Sequence, residues 1–243
     1  MFSNDFVYGL CGGLVGTIVS HPFDTIKTRV QSNKVNTIKD AIMMKKLYSG
    51  LSAPLIGIMM EKSIVFGFYN KAKEYKLNNF WSGIVGGFMC TLIVTPIDRI
   101  KINLQNKEKL TNIKFNTLYR GFIPTVMRET PGFGIYFTTY NYLTTNYNKE
   151  MQMYKTFAFG SLSGLNAWLF IYPSDLVKTK IQASDHIISI KDTIKNIYGE
   201  NNLNNKLFGL KNFYKGFSLA VMRAMPLHGG VFLGYELSKQ YLN

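Results

Sequence analysis

Cysteine is scarce in this sequence of 243 residues, which contains only Cys11 and Cys90. Both lie among small residues in segments without charged side chains. A disulfide framework needs several cysteines at regular spacing, so two isolated ones are better explained as packing residues. The sequence therefore gives no support for a small, disulfide-stabilised domain.

Histidine is almost as rare, and the three histidines lie far apart. None of His21, His186 and His228 has the partner spacing that a metal site requires. No pairing of a nucleophile with a base and no phosphate-binding loop stands out either. We therefore expect no metal and no cofactor, and we expect that the protein is not an enzyme.

Acidic side chains are half as numerous as basic ones, 14 against 28, which gives a formal net charge of +14. A surplus of this size favours an anionic partner, such as nucleic acid, the negatively charged surface of a membrane, or an anionic solute. Net charge alone does not choose among these partners.

Charged side chains are absent from four long stretches of 18 or 19 residues, which are 6–23, 80–97, 131–148 and 156–174. Each is about long enough to cross a bilayer as a helix. Two shorter uncharged stretches, 47–60 and 224–235, could equally be buried core helices or interfacial segments. A soluble protein with long buried helices is still possible on these observations.

A ten-residue pattern that occurs three times without gaps is the most informative feature of the sequence. It begins at Pro22, Pro96 and Pro173, which are 74 and then 77 residues apart. Each copy contains Pro-x-Asp, a Lys three residues after the Asp, and a Gln at its tenth position. An uncharged stretch with glycine precedes every copy. A Tyr-x-Gly follows every copy, and its glycines are Gly50, Gly121 and Gly216.

The repeat predicts an all-α membrane protein with six transmembrane helices in three pseudo-threefold repeats. Each unit has a long first helix that contains the proline, a short polar helix, and a long second helix. We place the units approximately at residues 1–77, 78–150 and 151–243 of a single domain. The two shorter uncharged stretches, 47–60 and 224–235, are predicted to span the membrane because they occupy the same place in their repeats as the longer stretch 131–148. A transporter cavity also tolerates polar residues within such helices.

The Asp and Lys of each copy lie three residues apart and therefore on one helix face. Charges at the end of a membrane span are costly unless they are paired. Three symmetry-related helices let each Asp pair with the Lys of a neighbour, and the proline bends each helix toward the axis. The predicted ring of ion pairs closes one end of a pore and contains Asp24 and Lys27, Asp98 and Lys101, and Asp175 and Lys178.

These segments resemble the signature of the mitochondrial carrier family, Pro-x-[Asp/Glu]-x-x-[Lys/Arg]-x-[Lys/Arg], and the resemblance covers nearly the whole chain. Asn103 and Ser49 depart from the family pattern. The resemblance implies that the three segments form the gate on the matrix side of the inner mitochondrial membrane. The implied pairs are Asp24 with Lys101, Asp98 with Lys178, and Asp175 with Lys27, braced by Gln31, Gln105 and Gln182.

The resemblance also implies a cytoplasmic gate, built from an aromatic-acidic-x-x-basic motif on each second helix. Only the third copy is complete, because Asn70 and Asn141 replace the acidic residue in the other two. The family pairing then leaves Glu236 with Lys73 as the single cytoplasmic ion pair. The matrix gate would then be held closed by three ion pairs and the cytoplasmic gate by one. This difference predicts a resting carrier that is open to the cytoplasm. The residues expected at this gate are Asn70, Lys73, Asn141, Tyr235, Glu236 and Lys239.

Substrate contacts in the family lie on the second helices, about a dozen residues before the cytoplasmic motif. The neighbours Arg128 and Glu129 would pair the carboxylate and the ammonium of an amino acid. Glu61 would hold a cationic side chain, and Lys62 would either neutralise Glu61 or attract an anionic group. The expected substrate-contact residues are Gly57, Ile58, Glu61, Lys62, Arg128, Glu129 and Arg223.

At these positions the chain is most similar to carriers of basic amino acids such as ornithine, of carnitine, or of S-adenosylmethionine. We therefore expect a multi-pass protein of the mitochondrial inner membrane that exchanges an amino-acid-like or cationic metabolite. The alternatives are a nucleotide or deoxynucleotide exchanger, a carrier-derived membrane protein that transports nothing, and a basic nucleic-acid binder. We expect a monomer without a nucleic-acid partner. Cardiolipin is expected at the matrix helix ends near Gly50, Gly121 and Gly216.

Overall fold

The computed structural model is all-helical over the residues that it describes, which are 4–31, 47–48, 50–105, 119, 122–145, 152–183, 189–199, 211–214 and 216–242. For residues 27–31, 97–105 and 178–183, and at a few single positions, it describes the backbone only. No β-strand occurs within these ranges.

Each repeat contributes two long helices. The first helices are α1 (Asn4–Gln31), α3 (Asn79–Gln105) and α5 (Met153–Ala183), and the second helices are α2 (Ser52–Glu74), α4 (Phe122–Thr144) and α7 (Phe217–Leu242). A short helix, α6 (Ile190–Gly199), lies between the two long helices of the third repeat, as the sequence predicts. Its counterparts in the first two repeats lie outside the described residues.

The six long helices form a closed ring. α1 packs against α2 and α7, α3 packs against α2 and α4, and α5 packs against α4 and α7, while α6 packs on α5. Every long helix therefore has two neighbours, and the last helix returns to the first. The all-helical carrier architecture predicted from the repeat is confirmed.

The first helix fits between its neighbours because glycine lies on two of its faces. A Cβ atom on Gly9 would lie 2.5 Å from the Lys62 carbonyl oxygen on α2. A Cβ atom on Gly12 would lie 2.6 Å from the Val231 carbonyl oxygen on α7. Any larger residue would push the backbones apart, so these glycines allow the close approach by which helices associate in lipid.

The outer surface of the ring is largely apolar, and the interior buries both aromatic or aliphatic side chains and small polar ones. Large side chains such as Phe170 and Trp81 face outward with 66% and 55% of their surface exposed, whereas Thr17, Ser20 and Ser163 are fully buried. This arrangement suits lipid as the surrounding solvent. In the described chain only Asn4–Ile26 and Asn79–Pro96 are long and apolar enough to count as membrane spans by themselves.

The prolines of the repeated motif lie inside the first helices and do not end them. Pro22, Pro96 and Pro173 are each followed by further helical residues, to Gln31, Gln105 and Ala183. The motif residues after each proline therefore extend the first helix instead of forming a loop, which places their charges along a helix end.

An aromatic layer closes one end of the ring. It is built from two equivalent positions of each repeat, a Phe and the Tyr three residues later, and consists of Phe66, Tyr69, Phe137, Tyr140, Phe232 and Tyr235. The three Phe rings contact one another, with centroids 5.1, 5.6 and 6.2 Å apart. Each Tyr stacks on the Phe of the next repeat, with centroids 3.8, 3.4 and 4.3 Å apart.

The aromatic layer closes this conformation of the carrier toward the cytoplasm, and the predicted preference of the resting carrier for the cytoplasm-open state stays a prediction. Along each second helix it lies on the cytoplasmic side of the expected substrate contacts, and its Tyr is the aromatic member of the motif that the resemblance assigns to the cytoplasmic gate. The described structure is closed at that end. Buried aromatic contacts, each worth about 0.5–1.5 kcal/mol beyond their buried area, supply this closure, and a count of ion pairs does not include them.

Candidate functional site

A cavity of about 180 Å³ lies inside the ring and is lined by residues of α2, α4, α5 and α7. The structure brings together six of the seven expected substrate-contact residues, which are Ile58, Glu61, Lys62, Arg128, Glu129 and Arg223. Gly57 is not among the lining residues. Charged side chains from three repeats therefore converge on one partly enclosed space.

Arg128 is held between two carboxylates. Its Nη1 atom lies 2.7 Å from Oδ1 of Asp175, and its Nη2 atom donates a hydrogen bond to Oε1 of Glu129. Asp175 belongs to the repeated motif on α5, so this ion pair joins the second helix of one repeat to the first helix of the next. Charge-assisted bonds of this kind are about twice as strong as neutral ones.

Arg223 occupies the equivalent place on α7. Its Nε atom forms an ion pair with Oδ1 of Asp24 on α1, which is the motif aspartate of the first repeat. Arg128 and Arg223 each lie twelve residues before the Tyr of the aromatic layer on their helix. The two contacts are therefore related by the pseudo-threefold arrangement.

The third equivalent position belongs to Gly57, twelve residues before Tyr69. A Cβ atom added there would meet no heavy atom within 4 Å. The first repeat thus lacks a cation at the position where the other two repeats carry one, and the space around Gly57 is open.

Glu61 and Lys62 form a pair one turn further along α2. The Lys62 Nζ atom lies 2.7 Å from Oε1 of Glu61 and 4.8 Å from the centre of the Phe133 ring. The Lys62 side chain is 4% exposed, whereas that of Glu61 is 32% exposed. Of the two roles that the sequence left open for Lys62, neutralising Glu61 is the one that the structure shows.

Several cavity residues were missed by reasoning from the sequence. Phe133, Tyr136, Ala167, Trp168 and Ile171 line the cavity. The signal for Tyr136 was ambiguous, because a cluster of aromatic residues on α4 fits a lipid-facing surface as well as a cavity. Nothing in the local sequence distinguishes Trp168 from an outward-facing aromatic side chain on α5.

The Asn residues of the first two cytoplasmic motifs lie in hydrogen-bonded clusters that also include hydroxyl groups of the aromatic layer. Asn70 donates through Nδ2 to Oδ1 of Asp5, 2.8 Å away, and to the Tyr235 hydroxyl, 2.6 Å away. The Tyr235 hydroxyl in turn donates to Asp5 Oδ1 over 3.0 Å. One cluster therefore joins α1, α2 and α7.

A second cluster repeats this arrangement on α2, α3 and α4. Asn79 donates through Nδ2 to Oδ1 of Asn141 over 2.6 Å, and its Oδ1 accepts from the Tyr69 hydroxyl over 3.1 Å. The first-helix members, Asp5 and Asn79, were not identified from the sequence. Both stand 17 residues before the motif proline, so the repeat spacing could have found them.

The sequence profile described as mitochondrial carrier protein matches residues 1–80, 74–151 and 149–243. The chain belongs to the mitochondrial carrier family. Members of this family are transporters, and this carrier is a multi-pass protein of the mitochondrial inner membrane that moves a small metabolite.

Named carriers resemble the chain over almost its whole length. The mitochondrial glycine transporter of Saccharomyces cerevisiae is 29% identical, covering 98% of this chain and 91% of its own. The mitochondrial basic amino acids transporter of Bos taurus is 30% identical, covering 94% and 88%. The mitochondrial carnitine carrier of Saccharomyces cerevisiae is 26% identical, covering 96% and 86%. The resemblance to carriers of basic amino acids and carnitine is confirmed.

The predicted matrix-gate pairs of this carrier fall mostly outside the described residues. Side chains are described for Asp24 and Asp175, and these contact Arg223 and Arg128 respectively. The remaining predicted members lie where no side chain is described, and they are Lys27, Gln31, Asp98, Lys101, Lys178, Gln105 and Gln182. The ring of Asp and Lys pairs stays a prediction.

The cytoplasmic ion pair expected in this carrier is not formed. Both side chains are described, and no salt bridge joins Glu236 to Lys73. Lys73 is exposed at the end of α2, where hydration competes with an ion pair. Lys239, the basic member of the same motif, stands three residues after Glu236 on α7.

Proposed function

We propose that this carrier exchanges an amino-acid-like or cationic metabolite across the inner mitochondrial membrane by alternating access. The observation that carries the proposal is Arg128 held between Glu129 and Asp175 inside the cavity. A guanidinium beside a carboxylate offers a partner to each charged group of an amino acid. Relatives named for glycine, basic amino acids and carnitine support the same class of substrate.

The pairing of the cavity cations favours a zwitterion over a polyanion. Lys62, Arg128 and Arg223 each contact a carboxylate of the protein. The carboxylate of a zwitterion can bind the protein cation while its ammonium binds the protein carboxylate, so both members of the pair keep a partner. A polyphosphate would displace the carboxylates and leave them without partners.

Substrate binding would act on the matrix gate through the two arginines. In this structure Arg128 and Arg223 hold Asp175 and Asp24, which belong to the predicted matrix gate. A substrate carboxylate that binds the arginines competes with these aspartates. The released aspartates would then favour their lysine partners, so the substrate interacts differently with the two states, as a shift between states requires.

Reconstituted liposomes test the substrate class. Vesicles loaded with lysine, ornithine, carnitine, glycine or a nucleotide are supplied with the labelled compound outside, and uptake is measured. Uptake that depends on internal lysine, ornithine or carnitine is expected. Uptake of nucleotides without any of the amino acids would reject the proposal in favour of the nucleotide exchanger. No exchange of any compound would favour a carrier-derived protein that transports nothing.

The accompanying proposals follow from the same architecture. We propose that the substrate crosses chemically unchanged, that the carrier acts as a monomer, and that it binds no nucleic acid. Cardiolipin is proposed at the starts of α2 and α7, where Gly50 and Gly216 adopt positive φ angles of 81° and 83° just before the helices. It is proposed also at the third expected position, Gly121, which lies outside the described residues. Backbone N–H groups at a helix start bind phosphate well. Binding of cardiolipin to the purified carrier, measured by native mass spectrometry, tests this.

A further inference from the structure

The three repeats carry equivalent polar residues near the start of their first helices, at the cytoplasmic end of the ring. Asp5, Asn79 and Thr156 each stand 17 residues before the motif proline. None of the three belongs to the aromatic-acidic-x-x-basic motif of the second helices. Their common position makes them candidates for a shared task.

The first two of these residues make the same pair of contacts. Each binds the Asn of its own repeat, at position 70 or 141, and the Tyr hydroxyl of the preceding repeat. Asp5 thereby joins the first repeat to the third, and Asn79 joins the second repeat to the first. In the third repeat Thr156 is 3% exposed.

From this arrangement we infer that Asp5 and Asn79 are positioning residues of transport, which hold the cytoplasmic gate closed through hydrogen bonds. They take the place of the missing second-helix ion pairs. Asp5 and Asn79 restrain the tyrosines of the aromatic layer. The Tyr235 hydroxyl donates a hydrogen bond to Asp5, while the Tyr235 ring stacks on Phe66. Tyr69 is fixed by Asn79 while its ring stacks on Phe137.

The two clusters differ in strength for a physical reason. The contacts of Asp5 are partly buried and involve a charged acceptor, whereas the bond from Asn79 to Asn141 is exposed to solvent. Hydrogen bonds to a charged group contribute more than neutral ones, and water competes at exposed positions. The cluster around Asp5 is therefore the stronger of the two.

The test measures access to the cavity from the cytoplasmic side and needs no substrate. Cys11 and Cys90 are replaced by serine and alanine, and Ala220→Cys places one thiol on the cavity wall. Mitoplasts that carry this parent protein are treated with a membrane-impermeant thiol reagent, and the rate of labelling is followed. Because no substrate is added, a wrong substrate class would not affect the result.

Removing the Asp5 carboxylate is expected to speed labelling about tenfold, since about 1.4 kcal/mol of closed-state stabilisation corresponds to a factor of ten. Asp5→Ala should have this effect, whereas Asp5→Asn should speed labelling by a clearly smaller factor, because its amide oxygen still accepts both hydrogen bonds but without the charge. Asn79→Ala should increase the rate by a smaller factor.

Two further variants keep the test decisive if Asp5→Ala fails to fold. Tyr235→Phe removes one hydroxyl and keeps the stacked ring, so it should also speed labelling while leaving the Tm of the purified carrier almost unchanged. Tyr142→Phe is the matched control, because Tyr142 is 76% exposed and lies outside the clusters. Parent-like labelling of both Tyr235→Phe and Asn79→Ala would overturn the inference, as would equal acceleration by Asp5→Asn and Asp5→Ala.

Discussion

Arg128 on α4 reaches Asp175 on α5 across 2.7 Å, and so links a residue expected to contact substrate with a residue expected to close the matrix gate. The equivalent pair, Arg223 with Asp24, links α7 to α1 in the same way. The binding site and the predicted gate are thus adjacent and share side chains. A substrate that binds the two arginines therefore competes with the gate aspartates for the same guanidinium groups.

Arg128→Lys should lower exchange about tenfold while Arg128→Gln should abolish it. Lysine retains the charge but offers one point contact where the guanidinium contacts Glu129 and Asp175 together. Initial rates of counter-exchange in liposomes measure both effects. Lys191→Gln on the short helix α6 is a control, since Lys191 is exposed and distant in sequence from the cavity residues. Full activity of Arg128→Gln would contradict the assigned role.

Lys62→Met should destabilise the carrier by about 1–3 kcal/mol, because it leaves the Glu61 carboxylate without its partner at a half-buried site. The double variant Glu61→Gln with Lys62→Met should recover most of the loss, since both charges are then removed. Thermal unfolding of the purified protein in detergent gives the comparison. A double variant less stable than Lys62→Met would show that Lys62 acts independently of Glu61.

Gly57→Arg should raise the KM for a cationic amino acid about tenfold. It restores the cation that the first repeat lacks, at a position where a new Cβ atom meets open space. The added charge repels a cationic side chain but leaves the closed ring intact. Gly57→Ala is the matched control and should leave KM unchanged while adding up to about 1 kcal/mol of stability through helix propensity. An unchanged KM in Gly57→Arg would mean that the substrate binds away from position 57.

Asn70→Asp should weaken the cytoplasmic gate although it restores the acidic residue of the family motif. Asp5 already lies 2.8 Å from the Asn70 amide, so a second carboxylate there would face a like charge. Thiol labelling of the Ala220→Cys protein from the cytoplasmic side should accelerate. The same change at Asn141 faces the neutral Asn79 and should have little effect. Asp5→Asn combined with Asn70→Asp should return labelling to the parent rate.

The repeated Pro-x-Asp-x-x-Lys motif was sufficient to predict the helix count of each repeat and the threefold arrangement. It worked because symmetry compensates for weak hydropathy in α2 and α7. The substrate contacts were predictable for a related reason, since charges in a membrane helix have few roles. Six of those seven residues line the cavity.

The aromatic closure of the cytoplasmic end was not predicted, because only charges were compared between the repeats. Phe66, Phe137 and Phe232 stand at the same offset from their tyrosines, and alignment of the three second helices would have shown this regular spacing. The contacts of Asp5 were harder to foresee, because they depend on the distance between α1 and α7. That distance follows from glycines such as Gly12 on the helix face between them.

The central phenylalanines also constrain how the carrier opens. Each of the three rings contacts both of the others, so every contact is shared by two repeats. Moving one repeat outward therefore breaks contacts of the other two repeats as well. Moving a single second helix outward would break two of the three contacts between phenylalanine rings and would expose the other two rings to water. Access from the cytoplasm should therefore arise in one concerted outward movement of all three repeats, without a long-lived half-open intermediate.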